Sequence, residues 1–116
     1  METKRTVMIL GTPYSVEEHT QEEDARLTDC DGYTDWTSKR IVVRREFDDD
    51  LANLDDMAEY VRKVKRHEIV HAFLCESGLG ACSGDVQNWA TNEEMVDWIA
   101  RQGPKVYEAW RSARAL

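Results

Sequence analysis

The hydrophobic period changes once along this chain, and that change restricts its architecture more than any other feature. Up to residue 44 the apolar residues come in short runs and alternations. Val7-Met8-Ile9-Leu10 ends at Gly11-Thr12-Pro13, and Tyr14-Ser15-Val16 follows with alternation. That pattern predicts two strands joined by a tight turn. Gly32-Tyr33-Thr34-Asp35-Trp36 and Arg40-Ile41-Val42-Val43-Arg44 flank Thr37-Ser38-Lys39, which predicts a second hairpin. From Asp48-Asp49-Asp50 onward the period becomes helical. Leu54, Met57, Ala58, Val61, Val64, Ala72 and Cys75 share one stripe, and the three acids suit a helix N-terminus. Ile69, Val70, Phe73 and Leu74 widen that stripe, so the second half of the helix is expected to be buried. Gly78 is the expected C-cap, with Leu79 behind it. A Gly- and Ser-rich loop leads to Thr91-Asn92-Glu93-Glu94, which matches a capping box with Thr91 as cap and Glu94 reaching back. That helix should run to Gln102 and stop at Gly103. Pro104 should start a last helix ending near Ala115. Strands first and helices after predict an α+β fold. The expected form is a small antiparallel or mixed sheet of about three to four strands packed on a long helix, followed by two more helices.

The 116 residues fit one domain, taken as residues 1–116. A net charge of −8 would repel a phosphate backbone, so nucleic acid is an unsuitable partner. No apolar run approaches the roughly 18–20 residues that span a bilayer, and Met1 to Gly11 does not read as a signal peptide. Membrane association is therefore not expected. Cys30, Cys75 and Cys82 make an odd set with irregular spacing, which argues for thiols in a reducing cytoplasm. Eight acids against one base, Arg26, lie between Glu17 and Asp35, so Glu17 to Asp31 reads as a solvated loop. Arg62-Lys63-Val64-Lys65-Arg66 reads as a solvated helix face. Trp89, Trp98 and Trp110 read as core anchors. Ile41-Val42-Val43 is either an exposed edge that pairs with a peptide or a central strand buried on both faces.

The chemistry is concentrated in His67-Glu68-Ile69-Val70-His71, an H-E-x-x-H segment within the long helix. Residues i and i+4 lie one turn apart on one face, so both imidazoles can reach one metal ion. Glu68 is rotated to the edge of that face, where it can act on a water without being a ligand. Burying these groups without a partner would be costly. A catalytic zinc site needs a third protein ligand and an open position. No histidine follows His71, so the candidates are carboxylates and cysteines: Glu93, 22 residues on, with Cys82 and Asp85 as runners-up. Cys75 extends the histidine row by a further turn, and the three turns would span too much helix for one ion. Asp97 shares the face of Glu93 and could accept a hydrogen bond from a ligating histidine.

His67-Glu68-Ile69-Val70-His71 followed by Asn92-Glu93-Glu94-Met95-Val96-Asp97 resembles the gluzincin pattern, H-E-x-x-H then N-E-x-x-x-D. The short chain is similar to the minimal members, the minigluzincins, and to small metallopeptidase-like proteins of phages and prophages. The resemblance implies a zincin-like fold with Zn2+ held by His67, His71 and Glu93. It implies Glu68 as the base, Asp97 as the partner of the first histidine, and a peptide or protein substrate. Larger gluzincins stabilise the oxyanion from a separate subdomain that this chain lacks. Tyr14, Tyr33, Tyr60, Tyr107 and His19 are the possible substitutes. The alternative is a non-catalytic interaction protein stapled by zinc, for which Cys82 would complete a closed site.

Overall fold

Leu10 and Gly11 set the first strand pairing. In the computed structural model, which describes residues 4–47, 54–80 and 88–116, both sit at positive φ, 50° and 86°. That backbone makes a two-residue turn whose twist suits the flanking strands. It joins β1 (Lys4–Ile9) to β2 (Thr12–His19), antiparallel, with Ile9 opposite Thr12. The second expected hairpin joins β3 (Gly32–Asp35) to β4 (Arg40–Arg44). Asp35 organises its turn by accepting the Thr37 and Ser38 N–H groups. The hairpins meet through a parallel β2–β4 pairing, with Val16 opposite Ile41, so the sheet is mixed and runs β1-β2-β4-β3. β4 is therefore central, and Ile41, Val42 and Val43 are fully buried. It is not an edge strand; the edges of the sheet are β1 and β3.

One face of the sheet carries Ile9, Tyr14, Val16, Ile41 and Val43 against Val64 and Ala72 of α1 (Met57–Glu76). Each fully buried aliphatic side chain contributes roughly 1.5–3 kcal/mol, so this cluster fixes α1 to the sheet. α1 starts later than the acid run suggested. Asp56 caps it by accepting the Glu59 N–H, and Leu54 precedes it. Asp48-Asp49-Asp50 lies outside the described residues. The far end follows expectation: Gly78 has φ 87°, Gly78 N–H donates to Cys75 and Leu79 N–H donates to Leu74. These bonds satisfy the last carbonyls of the helix. Its second half is not wholly buried, because Phe73 is exposed.

The other face of the sheet corrects the acidic-loop expectation. Glu17, Glu18 and His19 finish β2, and Glu17 is buried. A short 3-10 turn, Ala25–Thr28, is capped by Asp24 and buries Leu27 completely. Tyr33 donates to Asp24, tying the segment to β3. Leu27 is the one large aliphatic residue in the stretch, and its burial overrides the surrounding charge.

α2 (Glu93–Ser112) brings further corrections. Its cap is Asn92, which accepts the Met95 N–H, while Thr91 belongs to a 3-10 turn, Trp89–Thr91. Nor does Pro104 begin a separate helix; it lies inside this one. An interior proline leaves the carbonyl four residues earlier without its N–H. Here that carbonyl is Ala100, and Arg66 Nε donates to it at 2.6 Å, replacing the lost bond. Val96 and Ala100 are buried, but Trp89, Trp98 and Trp110 are exposed and are not core anchors. No helix among the described residues is long and apolar enough to cross a membrane.

Candidate metal centre

α1 places His67 and His71 one turn apart, and the Asn92 cap places Glu93 at the first position of α2, facing them. His67 Nε2 and His71 Nε2 are 3.1 Å apart. Glu93 Oε2 is 3.3 Å from His67 Nε2, and Glu93 Oε1 is 2.7 Å from His71 Nε2. Ligand atoms bound tetrahedrally at about 2.0–2.1 Å stand about 3.3–3.4 Å from one another. The two imidazole nitrogens stand near that spacing, and Glu93 meets each of them with a different carboxylate oxygen.

The outer nitrogens show why this is more than proximity. His67 Nδ1 is 3.0 Å from Asp97 Oδ1, and His71 Nδ1 meets the Ala90 carbonyl of the 3-10 turn. Both partners only accept, so both Nδ1 atoms donate. In the neutral imidazoles both Nε2 atoms then carry lone pairs. Those lone pairs converge on the Glu93 carboxylate, whose side chain is 71% exposed. A cluster of acceptors of this kind is relieved by a proton on one imidazole or by a metal ion between them. The donor set of nitrogen and oxygen fits a divalent metal such as zinc.

Glu68 completes the group. Its carboxylate lies within 4.8 Å of ligand atoms on His67 and His71, and His67, Glu68 and His71 together could hold a metal ion. The side chain is buried. Burial pushes its carboxyl up, outweighing His71, the Thr34 bond and His67, which favour the carboxylate. The Thr34 hydroxyl is 2.9 Å from Glu68 Oε1 and 2.8 Å from the Glu68 carbonyl. Gly32 lets β3 come this close. A Cβ there would stand 2.9 Å from Val64 Cγ1 and 3.3 Å from Glu68 Cγ.

Asp97 is held by three donors: His67, Lys63 Nζ at 3.1 Å and Arg101 Nε at 2.6 Å. Burial alone would raise its carboxyl, but the bonds from Arg101, Lys63 and His67 together keep it below the usual carboxylate range. A cavity of about 190 Å³ joins His67, Glu68 and Glu93 to Asp31, Tyr60 and Lys63. Among the possible oxyanion stabilisers, Tyr60 lines this cavity and donates to Asp31. Tyr14 is fully buried and donates to Glu76, Tyr33 donates to Asp24, and His19 contacts Glu17. Tyr107 is exposed on α2.

The four side chains expected around the metal, His67, His71, Glu93 and Asp97, are brought together. Cys82 and Asp85 lie outside the described residues, and Cys75 is a free thiol near the end of α1. Sequence reasoning missed Thr34, Lys63 and the Ala90 carbonyl. Lys63 carried a signal, since it stands four residues before His67 on the same face. A backbone carbonyl and a threonine from a distant hairpin carry none. No family model, curated protein or solved structure matches the chain.

Proposed function

We propose that the chain is a zinc-dependent peptidase of minimal gluzincin type, with His67, His71 and Glu93 as ligands and Glu68 as general base. The observation that carries this reading is the convergence of two imidazole lone pairs and a carboxylate, with a buried glutamate beside them. Bound zinc would lower the pKa of a water and polarise a peptide carbonyl. Glu68 would take the proton released as water attacks and return it to the leaving amine. Thr34 holds the Glu68 carboxylate on the cavity side of β3. Asp97 and the Ala90 carbonyl keep the imidazole protons on Nδ1.

The substrate would lie extended along β3. The Arg44 N–H donates to the Asp31 carbonyl, so the backbone groups of Asp31 and Tyr33 face β4. Those of Gly32 and Thr34 therefore point to the free edge, where a peptide can add as a strand. Tyr60 is a hydroxyl donor that lines the cavity beside Gly32 of this strand. Free thiols at Cys30 and Cys75 suit a reducing cytoplasm.

Metal analysis of wild type beside Glu93→Ala tests the site. One zinc per chain in the wild type and a large loss in the variant are expected. Full retention in the variant would move the third ligand to Cys82 or Asp85 and undercut the peptidase reading. One observation favours a second reading, a zinc-stapled interaction protein. Trp36, Trp98 and Trp110 are exposed, and large aromatics concentrate at binding surfaces. Zinc-replete protein that binds a partner through these residues and cleaves no peptide would support it.

A further inference from the structure

The basic run of α1 does not face solvent as a uniform charged surface. Arg62 pairs with Glu59, Lys65 with Glu18 at 2.6 Å, and Arg66 with Glu59 and the Ala100 carbonyl. Lys63 alone in this run bonds to an atom that also bonds to His67, namely Asp97 Oδ1. The Lys63 side chain is 16% exposed, against 59% for Arg101 on the other carboxylate oxygen. Its ammonium also lies 5.3 Å from the centre of the Tyr60 ring, which limits a flexible side chain from a second direction.

An aspartate has a broad terminal torsion. Held by one imidazole alone, its carboxylate can swing away from that imidazole. With Oδ1 bridging His67 and Lys63 and Oδ2 on Arg101, the torsion is fixed. We propose that Lys63 is a positioning residue for the metal centre: it pins Asp97 Oδ1, so that His67 keeps its proton on Nδ1 and presents the Nε2 lone pair to Glu93 and His71. The purpose of this arrangement rests on the metallopeptidase reading; the tautomer of His67 does not.

The proposal has a sign that distinguishes it from simple electrostatics. A cation near a divalent metal repels it, so by charge alone its removal would tighten metal binding. Positioning requires the opposite. The test measures two quantities on the full chain, at a pH where both imidazoles are neutral. These are the His67 tautomer from ring nitrogen shifts in metal-free protein, and zinc affinity by competition titration. Lys63→Met should mix the tautomers and weaken zinc on the order of tenfold, the low end for residues that orient a ligand. Lys63→Arg should restore both. Lys63→Gln replaces the methionine variant if that does not fold. An unchanged tautomer with equal or tighter zinc binding in Lys63→Met would overturn the proposal. Wild-type protein that takes no zinc would sink the metallopeptidase reading, yet a tautomer change in Lys63→Met would still support the role of Lys63.

Discussion

Two polar clusters sit on opposite faces of the same sheet, and they are satisfied in different ways. Val16 belongs to the core against α1, so its neighbour Glu17 points to the other face. There Glu17 accepts from Arg40 Nε and Nη2, both at 3.1 Å, from Ser15 Oγ at 2.6 Å and from His19 Nε2 at 2.9 Å. Every contact pairs a donor with an acceptor, and the fork of Arg40 matches the carboxylate. On the α1 face, Glu93 meets two imidazole nitrogens whose protons are committed elsewhere. The first cluster is complete as protein. The second is completed by a proton on one imidazole or by a metal ion, which His67, Glu68 and His71 could hold. Charge is present in both, so charge alone does not separate them; Glu17 is buried among donors, whereas Glu93 is exposed and meets two imidazoles.

The largest expected effect separates the two glutamates by role. Glu68→Gln keeps the shape of the side chain and removes its basicity. Turnover of a peptide substrate should fall by about 10²–10⁴-fold while zinc content stays at the wild-type level. Glu17→Gln should leave both unchanged. Undiminished cleavage by Glu68→Gln would remove the base from the mechanism. Loss of zinc in Glu17→Gln would erase the contrast between the clusters.

The next effect concerns stability. Glu17→Ala leaves Arg40, whose side chain is 40% exposed, without its partner and should cost about 1–2 kcal/mol in denaturant unfolding, with zinc affinity unaltered. The same cluster predicts a pH dependence. The bonds from Arg40, against burial and with help from Ser15 and His19, lower the Glu17 carboxyl from 4.5 to about 2. A group depressed in the folded state stabilises fully above its unfolded pKa and loses that contribution as pH falls through the folded one. Unfolding midpoints should therefore decline between pH 4.5 and about 2, and Glu17→Gln should flatten that part of the profile. An identical profile in the variant would assign acid sensitivity to other carboxylates.

Legibility in the sequence followed the range of the interaction. Both hairpins, the Gly78 cap and the histidine row are set by residues a few positions apart, and all were readable. The mixed sheet was not fully readable, because the parallel β2–β4 pairing is a contact between two hairpins that no local pattern encodes. Glu17 and Leu27 were misassigned within an acidic stretch, since composition does not say which acid has an arginine opposite it. Pro104 was read as a boundary because its usual cost decides the matter locally; the compensating donor, Arg66, comes from another helix. Within the site, side chains at helical spacing were found and Thr34 was not.

Thr34 supplies the smallest of these tests and the one closest to the comparison. Its single hydroxyl proton is shared between the Glu68 carbonyl and Oε1, so it is the only donor from the sheet to the buried Glu68 among the described contacts. Thr34→Val keeps the shape at β3 and removes the donor. Unfolding free energy should fall by about 1 kcal/mol, the worth of one part-buried hydrogen bond. Zinc content should not change, because Thr34 touches neither imidazole nor Glu93. Turnover should drop more than substrate affinity does, since a base that wanders is a fault in the chemical step and not in binding. A variant that loses zinc instead would mean that Glu68 and the ligands are held as one unit. The division between a settled structural cluster and the candidate metal centre would then have to be drawn around Glu68 as well.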